Sequence, residues 1–207
     1  MAEPQRHLTH APADPTDARE RVLDEWLVLS AQAGDQAALN QLLGRWRSAW
    51  LRHAARVTGD HDLARDAVQE AALAMARSIR RLHDPARFRG WAYRLVTNKS
   101  TDIIRKRQRD RRLVRSATDA GASRNESDAE DSGASAEAHE DQQRVRAAVA
   151  ALPDEYRIVV ELHYGDGLTM REIGEAIGIA LGTVKSRLHH ARETLRAALE
   201  KREEVQS

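Results

Sequence analysis

Cysteine is absent from these 207 residues, and only 4% of them are aromatic. The first absence excludes a disulfide framework, a cysteine zinc site and a thiol redox switch within the chain, and it fits a reducing compartment. The second, beside abundant Ala, Leu, Arg and Glu, disfavours β-sandwiches and barrels and favours helices. Proline is scarce, and three of the five fall in the first sixteen residues, where a disordered N-terminal tail (1–16) is expected. No apolar run approaches the roughly 18–20 residues of a membrane span, and "MAEPQRHLTHAPADPTD" has no apolar core of the kind a secretory signal needs. No membrane insertion and a cytoplasmic location are expected.

An excess of charge of one sign is also missing, since the formal net charge is +1. That total hides a segregation. Residues 31–112 carry a net +10, residues 113–143 a net −6 and residues 144–202 a net +2. A strongly basic first half points to a polyanion such as nucleic acid, although a solvated Arg-rich helix face has the same composition. The acidic middle, "SATDAGASRNESDAEDSGASAEAHED", has no apolar periodicity and buries too little surface to offset its ordering entropy. An all-α chain follows, with two small helical domains (17–112 and 144–202) joined by a flexible acidic linker (113–143).

In the first domain, Asp17 and Glu20 form a capping-box pair, and Val22, Trp26, Leu29 and Ala33 recur at helical spacing up to Gly34. A second helix carries Leu39, Leu42, Leu43, Trp46, Trp50 and Val57 and stops near "TGD". A third runs from about His61 to Leu82 with Leu63, Ala67, Ala71 and Met75 on one face. On roughly the opposite face, Asp66, Gln69 and Glu70 lie within about 100° of one another. Such an acid–amide–acid patch accepts hydrogen bonds from a basic partner helix, or is simply solvated. "HDPARF" breaks the chain before a fourth helix starting near Arg87 or Phe88. There Phe88, Trp91, Leu95 and Ile103 face inward, while Arg94, Asn98, Thr101 and Arg105 make a polar stripe suited to single-stranded DNA with splayed bases.

In the second domain, Pro153 opens a helix over "PDEYRIVVELHY", and "GDG" breaks it. Thr169 and Glu172 cap the next helix, Gly178 ends it, and the last helix starts near Thr183. Val184, Leu188, Ala191 and Leu195 should pack on Ile173 and Ile177, which makes a helix-turn-helix. Lys185, Ser186, Arg187 and His189 then face outward near the start of the reading helix, with Arg171 set to touch phosphate. A helical hairpin with a basic face gives the same pattern.

Five stretches together resemble the extracytoplasmic-function group of bacterial RNA polymerase sigma factors. They are "AGDQAAL", "DLARDAVQEA", "FRGWAYRLVTNKSTDIIRKR", "LPDEYRIVVELHYGDGLTMREIGEAIGI" and "GTVKSRLHHARETLR". Ala31 to Arg112 looks like sigma region 2 and Leu152 to Leu199 like sigma region 4. The resemblance implies a non-catalytic subunit without a cofactor, which binds core RNA polymerase and directs it to promoter DNA. Asp66, Gln69 and Glu70 match the contact with the clamp helices of the largest polymerase subunit. Asn98, Asp102 and Arg105 match the pattern in the helix that handles the −10 element. Arg87, Phe88, Arg94 and Thr101 accompany them, and the "HDPARF" loop lies where the family holds a flipped base. Arg171, Thr183, Lys185, Ser186 and Arg187 match the −35 reader, with His189 beside them. An anti-sigma factor is a further partner the resemblance implies. Three positions depart from the family pattern: no aromatic residue follows the Gln-Glu pair, Thr97 stands where Arg or Ala is common, and Gly174 stands where Ala is usual.

Two rival readings remain. A stand-alone helix-turn-helix regulator accounts for the second domain only. A metal-dependent phosphohydrolase would use His61-Asp62 and His83-Asp84, with His53 as the one obvious third ligand.

Overall fold

The computed structural model describes residues 15–115 and 136–206, and every regular element among them is helical. Helices α1 (Pro15–Gln32), α2 (Gln36–Thr58), α3 (His61–Ser78) and α4 (Phe88–Arg115) form a first group. Helices α5 (Ala136–Ala150), α6 (Asp154–Val160), α7 (Met170–Ile177) and α8 (Leu181–Gln206) form a second. The expected tail and linker fall largely outside the described residues. At their margins the structure differs: α1 already includes Pro15 and Thr16, α4 runs on to Arg115, and α5 begins at Ala136.

Local chemistry sets the boundaries. Asp35 accepts from Ala37 N at 2.8 Å and Ala38 N at 3.1 Å, and Asp60 accepts from Asp62 N at 3.0 Å and Leu63 N at 3.2 Å. These N-caps satisfy donors that have no partner inside the helix. The third helix ends at Ser78, earlier than its periodicity suggests, and a 3-10 turn (Ile79–Arg81) follows. Gln32 Nε2 donates to Ile79 O at 2.9 Å and Leu82 O at 2.7 Å, so α1 itself satisfies the carbonyls of that turn. A second 3-10 turn, Pro85–Arg87, is capped by Asp84.

The first core is built from Leu27, Val28, Leu42, Trp50, Ala67, Met75, Phe88 and Tyr93, all essentially inaccessible. The apolar repeat noted in α1 forms a helix, but its residues do not enter the core. Val22, Trp26 and Leu29 are 66%, 57% and 54% exposed. Helix α1 is apolar on two sides, and it buries the side that carries Asp24. That carboxylate is 3% exposed and accepts from Arg45 Nε at 3.2 Å, Trp46 Nε1 at 3.2 Å and Arg89 Nε at 3.1 Å. The Arg89 guanidinium also lies 4.8 Å from the Trp46 ring centroid, within cation–π range. Helix α1 starts at Pro15, so Asp17 stands inside the helix and not ahead of it.

In the second group the Thr169 hydroxyl accepts from Glu172 N at 3.3 Å, and the Glu172 carboxylate accepts from Thr169 N at 2.7 Å, a complete capping box. Gly178 closes α7 in the left-handed region, φ +74°. Gly174 has a packing reason: a Cβ there would lie 2.8 Å from Ile179 O, so the tight turn between α7 and α8 leaves no room for alanine without a shift. Val184, Leu188, Ala191 and Ile173 are fully buried, as their spacing predicts.

Candidate nucleic-acid interface

Asp66, Gln69 and Glu70 project from one exposed face of α3. Together with Lys99, Asp102, Ile103, Lys106 and Arg109 of α4 they line a cleft of about 480 Å³. Glu70 reaches Lys99 Nζ at 3.7 Å. An acidic rim therefore faces a basic one across the cleft, a combination that suits a partner with mixed charge better than DNA alone.

On α4, Arg94, Asn98, Asp102 and Arg105 are exposed along one side. Asp102 and Arg105 approach to 3.9 Å. Thr101 is half-buried, and its hydroxyl donates to Thr97 O at 2.8 Å, which turns it onto its own helix. Phe88 corrects its assignment as a DNA contact: it is 1% exposed, with ring centroids 6.4 Å from Trp50 and 6.1 Å from Trp91. It belongs to the core and supports the loop from beneath. A second cleft of about 490 Å³ opens beside the Pro85–Arg87 turn, with His83, Arg87, Trp91 and Arg94 among its walls. His83, part of the "HDPARF" loop, lies in that wall as the loop's place implies, and Arg81 beside it is an addition of the structure, since it belongs to no periodic stripe.

Arg87 is exposed but engaged. Its Nε and Nη2 both donate to Glu175 Oε1 of α7, the former at 3.1 Å. That carboxylate pushes the guanidinium pKa above its ordinary value.

His53 is not a metal ligand in this arrangement. It is buried, and its Nε2 lies 2.8 Å from Thr97 Oγ1, whose hydroxyl donates to Tyr93 O at 2.9 Å. The threonine has only lone pairs left for the ring, so His53 donates from Nε2 as the neutral tautomer. Burial, and then the nearby charge of Arg56, lower its pKa to about 3. Asp60 and Asp84 act as caps, and among the described residues no cluster of His, Asp or Glu could hold a metal ion.

On α8, Thr183, Lys185, Ser186 and His189 are exposed, as is Arg171 on α7. His189 Nε2 lies 3.4 Å from Glu193 Oε1. Arg187 departs from the expectation of a fully outward residue: only 25% of its side chain is exposed, and Nη2 donates to Glu155 Oε2 of α6 at 2.9 Å. The reading face thus presents Thr183, Lys185 and Ser186, with His189 beside Glu193 and one arginine folded back on the scaffold.

Comparison with known proteins identifies the family. Residues 42–110 match the family model described as Sigma-70 region 2, and residues 142–195 match Sigma-70, region 4. The chain is 35% identical over 173 residues to the ECF RNA polymerase sigma factor SigE of Mycolicibacterium smegmatis, covering 81% of this chain and 65% of that one. It is 33% identical over 181 residues to the ECF RNA polymerase sigma factor SigW of Bacillus subtilis, covering 83% and 94%. Among solved structures, CnrH in complex with the cytosolic domain of CnrY shares the fold, with a TM-score of 0.57 at 24% identity over 86% of this chain and 98% of that one. With both sigma regions matched in order and a relative spanned almost end to end, the chain belongs to the ECF group of RNA polymerase sigma factors.

Proposed function

We propose that this sigma factor carries out promoter recognition with four surfaces, and that it has no chemistry of its own. The α3 patch of Asp66, Gln69 and Glu70 binds the clamp helices of core polymerase. The cleft beside the Pro85–Arg87 turn receives a base flipped from the −10 element, with Trp91 as an apolar wall, and so recovers the few kcal/mol that unstacking costs. Arg94, Asn98, Asp102 and Arg105 line the path of the single strand. Lys185, Ser186, His189 and a released Arg187 read the −35 element in the major groove, with Arg171 on phosphate. All of this takes place in the cytoplasm, where polymerase and chromosome are, and an anti-sigma factor is the natural antagonist.

The exposed acidic patch on α3 carries this reading. A stand-alone regulator has no use for two carboxylates on a surface that must approach a polyanion, whereas a protein partner has. The test is in vitro transcription with purified core polymerase on genomic fragments, mapping transcript starts. New starts that share an upstream pair of motifs are expected, and they should vanish with Asp66→Arg/Glu70→Arg while helical content stays unchanged. If the protein failed to co-purify with polymerase yet protected duplex DNA by itself, the stand-alone regulator would be the better account.

A further inference from the structure

The second helical group is docked on the first through charge. At the end of α6 the helix widens into a π turn, Glu161–Gly165, which projects Asp166 toward α2. The Asp166 side chain is fully buried there, accepting from Arg52 Nη2 at 3.2 Å and Arg56 Nη2 at 2.7 Å. Glu172 completes its capping box with one carboxylate oxygen and takes Arg21 Nη1 at 3.0 Å on the other. Glu175 holds Arg87. Glu161 adds a contact to Arg56 Nε at 3.0 Å, so four carboxylates of the second group are seated on four arginines of the first.

The docking covers a particular place. Gly90 lies one turn before Arg94 on the outward stripe of α4, and a Cβ on it would come within 3.1 Å of Glu172 Cα and 2.9 Å of Glu175 Oε2. Helix α7 therefore rests on the N-terminal end of the stripe, and Glu175 walls the cleft that Arg87 and Trp91 also line. A carboxylate at that wall repels phosphate and consumes the arginine that would attract it.

We propose that α7 is an internal cover for the flipped-base end of the single-strand site: in the free chain Asp166, Glu172 and Glu175 occupy arginines of the first group, and DNA gains Arg87 and the N-terminal end of α4 only after the two groups part. This rests on the reading of α4 as the single-strand surface. It also explains why a chain with a +10 region need not bind polyanions indiscriminately when free.

The absence of cysteine makes the test direct. A donor–acceptor dye pair is attached at Ser48→Cys on α2 and Thr194→Cys on α8, both exposed positions, in the full chain. Energy transfer should be high, fall on raising salt toward about 1 M, where screening is short-ranged, and fall at low salt in Asp166→Asn/Glu175→Gln. Gly90→Ala should open the chain independently, by a wedge against the Glu172 backbone that removes no charge and favours the helix that contains it. The opened variants should bind a fluorescein-labelled single strand of mixed sequence about tenfold more tightly, in the usual range for coupled sites. Equal transfer in wild type and variants at all salt concentrations would overturn the proposal, and so would variants that open without gaining affinity. Asn98→Ala in the opened background separates the two readings. If it leaves the oligonucleotide affinity unchanged, the α4 assignment fails, while the dye pair still decides whether the cover exists.

Discussion

Beneath α4 lie charges and polar groups: the Asp24–Arg89 pair, the His53–Thr97 hydrogen bond and the buried hydroxyls of Tyr93 and Ser100. The inward side chains of α8 are aliphatic: Val184, Leu188 and Ala191, all at 0% exposure. Directional bonds fix the rotation of α4 about its axis, and with it which residues form the outward stripe. Helix α8 is oriented mainly by shape, as ridges and grooves allow, with the Arg187–Glu155 bond at its margin. The same family task is thus served by one helix held by geometry-specific polar contacts and another held by packing, and the two should fail under different insults.

The largest effect is expected at Asp24. Replacing it with alanine removes the acceptor on which Arg45, Trp46 and Arg89 converge, and breaking a buried pair from one side costs about 3–5 kcal/mol. All four tryptophans, Trp26, Trp46, Trp50 and Trp91, lie in the first group. Their fluorescence in urea should therefore report a lower midpoint for Asp24→Ala than circular dichroism, which sees both groups. Leu188→Ala is the mirror test. A buried Leu→Ala change costs about 2–5 kcal/mol, here expected near 3, and it should shift the dichroism transition while the tryptophan signal moves less. Coincident shifts in both probes for both variants would mean that the two groups unfold as one and that the contrast has no energetic content.

The contrast also explains what the sequence made legible. The stripe of α8 was readable because an aliphatic environment imposes a simple helical period, and the capping box at Thr169 because it is local. Which side of α1 is buried is not legible from spacing, since both of its sides are apolar, and the deciding group, Asp24, finds its partners 21 to 65 residues away. No spacing rule reaches that far. The polar stripe of α4 and the inward side that carries Phe88 both follow from periodicity, and it is the DNA contact implied for Phe88 by the resemblance that its burial removes. The carboxylates that dock the second group lie 88 to 151 residues from their arginines, so nothing local marks them. Arg187 has the right position on its helix, yet Glu155, 32 residues earlier, draws it back.

Acid should separate the two seats with an intermediate effect. His53 has its pKa lowered to about 3 by burial, against about 6.5 in an unfolded chain. The neutral ring belongs to the folded state, so its contribution is whole above about pH 6.5 and is lost as the pH falls toward 3; by pH 5 the loss amounts to about 2 kcal/mol. Urea midpoints followed by tryptophan fluorescence at neutral pH and at about pH 5 should drop in the wild type and drop less in His53→Gln. An equal drop in both would move the acid sensitivity to other groups.

The smallest effect is expected on the reading helix, and its size follows from the arginine's prior engagement. An arginine on a base edge is worth about 1–3 kcal/mol, but Arg187 must first leave Glu155, with which it forms a half-exposed pair worth up to about 1 kcal/mol. The net contribution should lie near 1 kcal/mol, so Arg187→Ala should lower promoter occupancy in a footprint titration about fivefold. Glu155→Gln should act in the opposite direction, raising occupancy by releasing the arginine beforehand. The two variants together distinguish a reader from a strut. If Arg187→Ala left the footprint unchanged while Glu155→Gln and Arg187→Ala destabilised the protein alike, the arginine would serve only to tie α8 to α6. Lys185, Ser186 and His189 would then carry the reading by themselves, and α8 would be the helix whose outward face owes nothing to the contacts beneath it.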